Sequence, residues 1–110
     1  MFLPRGDRAF VPIEKLRDYC LNPNHPVCKH KARVFETALG FTAGDVTRLE
    51  RLLLDAAHTQ EAELGEQDEF GQRYIVDFTT IGVTELVTIR SSWIIRTGED
   101  APQLVTCFVL

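Results

Sequence analysis

Thr84–Arg96 reads TELVTIRSSWIIR, and the fold turns on its alternation. Val87, Ile89, Ser91, Trp93 and Ile95 fall on one side. Leu86, Thr88, Arg90, Ser92, Ile94 and Arg96 fall on the other. A period of two in β-branched and aromatic residues marks a half-buried strand with one core face and one mostly polar face. Arg90 stands in the middle of the polar side, where a cation needs a partner or a ligand.

Outward from this stretch, Thr97–Pro102 is a turn and Gln103–Val109 a final strand. Upstream, Thr80–Val83 is a turn and Gln72–Thr79 another strand. It sets Tyr74, Val76 and Phe78 against Arg73, Asp77 and Thr79, with Ile75 out of pattern. Asp68-Glu69-Phe70-Gly71 is a turn, and Ala62–Leu64 a short edge strand. Before residue 60 the period is helical. Pro12 opens a helix to Leu21, with Ile13, Leu16 and Cys20 on its apolar face. Two prolines in Asn22-Pro23-Asn24-His25-Pro26 end it. From Pro26, a second helix lines up Cys28, Ala32, Phe35 and Leu39 and closes at Gly40, a residue free to turn left-handed. Thr42 and Asp45 form a capping-box pattern. Val46, Leu49, Leu53 and Ala56 then make a third apolar stripe, ending near His58. The order predicts one α+β domain over residues 1–110: an N-terminal extension (1–11), a layer of three helices (12–58) and an antiparallel meander of three or four strands (61–110).

The chain has 110 residues, of which 45% are apolar, enough for one core. No apolar run reaches the ~18 residues of a membrane span. Pro4, Gly6 and flanking charges occupy the place of a signal-peptide apolar region. Three cysteines without framework spacing read as free thiols in a reducing cytoplasm. The net charge of −4 argues against a generic nucleic-acid binder. Its distribution is uneven. Residues 1–60 carry nine Lys/Arg and seven Asp/Glu, and residues 61–110 carry three and nine. Glu61, Glu63, Glu66, Asp68 and Glu69 supply five of those nine acids, so a local basic surface elsewhere is compatible with the total.

Three passages, Leu16–Phe35, Asp68–Phe78 and Thr88–Val109, together resemble an uncharacterised bacterial domain family. It is found as stand-alone proteins and at the C-termini of phage-associated and polymorphic-toxin proteins. The family pattern has Gly where this chain has Cys28. The order of helices then meander is also similar to the ribonuclease-toxin fold of barnase, colicin D and RelE-type toxins. The resemblance implies a toxin domain that cleaves RNA without a metal or other cofactor.

That chemistry needs a proton acceptor for the 2′-hydroxyl, a cation for the phosphorane and an acid for the leaving oxygen. On the polar sheet face Arg90 offers a guanidinium fork that matches phosphate, with Thr106 beside it on the last strand. Arg73, Ser92 and Arg96 are candidate substrate contacts. The competing reading pairs Arg90 with Asp77 as a structural ion pair. His25 and Lys31 complete the expected catalytic set, with Lys29, His30 and Arg33 as further phosphate contacts near a helix start. Here the alternative is a turn histidine that satisfies backbone groups, followed by a solvated helix face. Zinc is a weaker option. Cys20, His25, Cys28 and His30 are ligand types, but on a helix from Pro26, Cys28 and His30 project about 200° apart. A partner of a second kind is a small co-encoded, antitoxin-like protein adding a strand near Glu61–Glu69. A non-catalytic module for such a partner is the alternative function.

Overall fold

A computed structural model describes residues 1–110. Four antiparallel strands form one sheet in chain order: β1 (Glu63–Asp68), β2 (Gly71–Ile81), β3 (Leu86–Arg96) and β4 (Gln103–Val109). The alternation in the decisive stretch carries through. Val87, Ile89, Ser91 and Trp93 are buried, whereas Thr88, Arg90 and Ser92 are half-exposed. Ile94 departs from the pattern, being buried on the opposite side from Trp93 beside Arg73 and Arg96.

Ser91 is the one buried polar side chain. Its hydroxyl donates to the Val76 carbonyl at 2.7 Å and accepts from the Trp93 indole at 2.9 Å. A fully enclosed indole N–H requires such an acceptor. The core is completed by Leu16, Phe35, Leu49, Leu53 and Leu104, which join helices and strands in one apolar cluster.

The helical layer consists of α1 (Ile13–Lys15), α2 (Lys29–Leu39) and α3 (Val46–Thr59). The expected Pro12–Leu21 helix is α-helical for only three residues; Leu16–Cys20 is π-helical. The Leu21 N–H reaches back to the Leu16 carbonyl at 2.8 Å. The second helix begins at Lys29 rather than Pro26, because residues 23–28 close around His25 in hydrogen-bonded turns. Gly40 ends it at φ 72° as anticipated, and the Thr42–Asp45 capping box is formed in both directions.

Strand limits also shift. β1 runs to Asp68, past the expected Leu64, and β2 extends from Gly71 to Ile81. Gly71 can follow Asp68 in the hairpin because it adopts φ 146°, where a Cβ would collide with the Ile95 carbonyl. In β4, Thr106 faces Ser92 and Leu104 faces Trp93, which leaves Val105 as an extra residue. This bulge lets Leu104 and Cys107 both enter the core while Thr106 stays half-exposed.

The first eleven residues are part of the domain rather than an appendage. Leu3 and Val11 are buried, Phe2 bridges to Glu61, and Phe10 bridges to Gln103. No helix is long and apolar enough to cross a membrane.

Candidate functional site

The face of the sheet turned away from the core carries Arg90. Its Nε and Nη2 each meet a carboxylate oxygen of Asp77 at 2.9 Å, across the β2–β3 register. The fork is planar and so is the carboxylate, which makes this a two-point pairing. The hydrogen bonds to Asp77 and its charge raise the Arg90 pKa above its ordinary value, and Glu63 adds to the effect. Nη1 is the one guanidinium nitrogen outside the pairing. Arg73 is similarly engaged, by Asp68 at 3.3 Å, and Thr79 meets Thr88 at 3.3 Å. The centre of the open face is therefore close to charge-balanced.

A different neighbourhood forms where the helical layer meets β4. Lys31 begins on the buried side of α2, next to Ala32 and Phe35, and is itself half-buried. Its ammonium donates to Thr106 Oγ1 at 3.3 Å and lies 5.4 Å from the centre of the Phe108 ring. Phe108 is the register partner of Arg90 and Thr106 that of Ser92. Thr106, Ser92 and Arg90 thus sit close together on two neighbouring strands, with Lys31 reaching Thr106 from α2.

Beside Thr106 is a cavity of about 170 Å³, lined by Lys15, Tyr19, Cys20, Cys28, Val105 and Thr106. His25 stands at its margin, with its ring centre 4.8 Å from that of Tyr19. His25 Nδ1 accepts the backbone N–H groups of Val27 and Cys28 at 3.1 and 3.0 Å. In the neutral ring the hydrogen is therefore on Nε2. Half of the imidazole serves the turn, and Nε2 is left for other work.

The remaining candidates are scattered. Lys29 is half-buried, while His30 and Arg33 are exposed on α2. His30 borders a shallow depression of about 250 Å³ shared with Val34 and Phe108. Arg73 and Arg96 line a second depression of about 360 Å³ with Phe70 and Ile94, which shares Lys15 and Val105 with the cavity beside Thr106. The largest hollow, about 580 Å³, lies between Gly6–Ala9 and α3 and contains none of the candidate residues. No three His, Cys, Asp or Glu side chains converge as a metal-ligand set.

Two residues matter here that sequence reading left outside the catalytic set, Cys20 as an apolar-face residue and weak zinc candidate and Cys107 as a free thiol. Cys20 is buried at the end of the π-helical turn, with its sulfur 4.0 Å from Thr106 Oγ1. Cys107 is fully buried on β4. The polar influence of Cys107, with the Thr106 hydroxyl and the Lys31 charge, outweighs burial and brings the Cys20 pKa down to about 6. The Cys20 side chain and burial push Cys107 well above its ordinary value. Cysteine is at once a small apolar residue and a thiol, so a stripe at helical spacing cannot separate the roles. Only the packing of residue 20 against residue 107 does so.

Searches of curated proteins and of solved structures each return no match. A family model, a domain of unknown function (DUF6883), matches residues 2–110, so the chain belongs to this family.

Proposed function

We propose that this protein is a ribonuclease-like toxin domain of a bacterial toxin–antitoxin or polymorphic-toxin system. It cleaves RNA without a metal at the rim between α2 and β4. The observation that carries the reading is the 3.3 Å contact between Lys31 Nζ and Thr106 Oγ1. It holds an ammonium at the border of helices and sheet, with Arg90 one strand away and His25 packed against Tyr19, which lines the adjacent cavity. In this reading Lys31 supports the negative charge that builds on the phosphorane, and Thr106 holds the ammonium in place. His25 exchanges the proton through Nε2. Arg90, two of whose nitrogens are committed to Asp77, orders the sheet face and offers only Nη1 to a phosphate. Lys29, His30 and Arg33 extend the basic surface along α2 for the RNA backbone.

The test is direct. Purified protein incubated with tRNA and mRNA in the presence of a chelator is expected to yield 2′,3′-cyclic phosphate ends, and its expression is expected to slow growth. Intact RNA together with normal growth would sink the reading.

A second reading is favoured by the same two hydrogen-bonding patterns seen from the other side. The Arg90–Asp77 pairing and the backbone bonds to His25 Nδ1 are what structural roles require. Past the Phe2–Glu61 bridge, the outer side of β1 pairs with no strand. That side exposes Glu63, Glu66, Asp68 and Glu69 together with Leu64 and Phe70. A small basic partner protein could add a strand there. Charge reversal at Glu66 and Glu69 that abolishes a co-encoded partner's binding, with RNA untouched throughout, would establish this alternative.

A further inference from the structure

The geometry points to Cys20 as a site of oxidation by peroxides, with Cys107 as the thiol that converts the product to an internal disulfide. This inference does not rest on the RNA reading, since it concerns only the thiols and their surroundings.

Four observations carry it. Cys20 and Cys107 come from elements far apart in the chain, yet both are buried together: the Cys20 sulfur lies 4.0 Å from the hydroxyl of Thr106, the residue before Cys107 on β4. A lysine ammonium can only donate, so the Thr106 oxygen accepts from Lys31, and its own hydrogen is free to point at the Cys20 sulfur. The result is a directed chain from Lys31 through Thr106 to Cys20. Cys20 also borders the 170 Å³ cavity, which no carboxylate lines and which exceeds the ~30 Å³ share of one water several times over. A peroxide molecule fits; a bulky oxidant does not. Finally, Cys20 ends a π-helical turn, a conformation that occurs often at functional sites.

Lys15 and Tyr19 line the cavity beside Cys20 from its own helical segment, Cys28 from the turn before α2 and Thr106 from β4, and Lys31 reaches Thr106 from α2. The charged groups among these, Lys15 and Lys31, are cations and favour the thiolate. A buried thiol in an apolar setting would be inert. The Cys20 thiolate attacks one oxygen of hydrogen peroxide: an S–O bond forms, the O–O bond breaks, and the departing hydroxide takes a proton to become water. The sulfur has lost two electrons and the peroxide has gained them, leaving a sulfenic acid. Cys107 then attacks that sulfur. The S–S bond forms, the S–OH bond breaks, and hydroxide leaves with the Cys107 proton as a second water.

The full chain treated with hydrogen peroxide at pH 7 and mapped by mass spectrometry tests this. The expected product is a Cys20–Cys107 disulfide with Cys28 still reduced. In Cys107→Ser, which keeps a donor beside Cys20, a dimedone adduct is expected on Cys20 instead. The rate at which methyl methanethiosulfonate modifies Cys20 in the untreated protein should rise with pH through a midpoint of about 6. Oxidation confined to Cys28, or a Cys20 midpoint near the ~8.5 of an ordinary thiol, overturns the proposal. The native-chain measurements decide the matter even if the serine variant folds poorly.

Discussion

Arg90 and Lys31 are both cations on or near the polar side of the sheet, one on β3 and one reaching β4 from α2, and they live in opposite circumstances. Arg90 spends two of its nitrogens on Asp77 and has Glu63 close by. Lys31 has no carboxylate within ion-pairing distance; it holds a hydroxyl and an aromatic face beside a cavity and two buried thiols. A cation matched by its own kind of counter-ion has little field left for a ligand. One held by neutral groups at a joint between layers retains its charge for something outside the fold. Sequence reading, which sees only residue types, gave the leading part to the arginine. In the proposed function it passes to the lysine.

The sharpest way to break that contrast is kinetic. If the rim is the reactive site, Lys31→Gln lowers RNA cleavage by about 10²–10³-fold, while Arg90→Gln lowers it less than about tenfold, measured as single-turnover rates on one RNA. Equal losses in the two variants would erase the distinction. The next effect in size concerns Ser91, the neighbour of Arg90 that faces inward. Ser91→Ala leaves the Trp93 indole N–H and the Val76 carbonyl without their shared partner. The expected cost is about 1–3 kcal/mol of unfolding free energy in a urea titration. A neutral result would mean that water or a neighbouring carbonyl takes over the bonds. The smallest effect belongs to the open face. Converting both partners, Arg90→Gln with Asp77→Asn, is expected to leave the urea midpoint nearly unchanged, because an exposed pair returns little net stability. Converting Arg90 alone should lower the midpoint slightly more than converting both, since it strands Asp77 among acids.

Much of the fold was legible in the chain because side-chain period and caps are local. Gly40, the Thr42–Asp45 box and the inward parity of Val87, Ile89 and Trp93 needed no tertiary information. The errors have local causes too. Residues 63–68 are acidic and exposed, so the strand they form has no apolar alternation to announce it; pairing with β2 makes it a strand. Leu16–Cys20 carries helical spacing that cannot reveal a wider turn. Of the site, Lys31 and Thr106 were legible as residues, and their contact was not, because 75 positions separate them. Cys20 with Cys107 was less visible still, because nothing in the spacing of two free thiols so far apart in the chain brings them together.

The bridges made by Phe2 and Phe10 set a condition on how this protein comes into being. Residues at the start of the chain clasp Glu61 on one margin of the sheet and Gln103 on the other. The second clasp waits for the last strand to be made. Such far-separated pairings slow folding relative to local ones. During synthesis, Phe10 therefore stays without its final partner until β4 has been made, and the cavity beside Thr106 cannot be assembled before then.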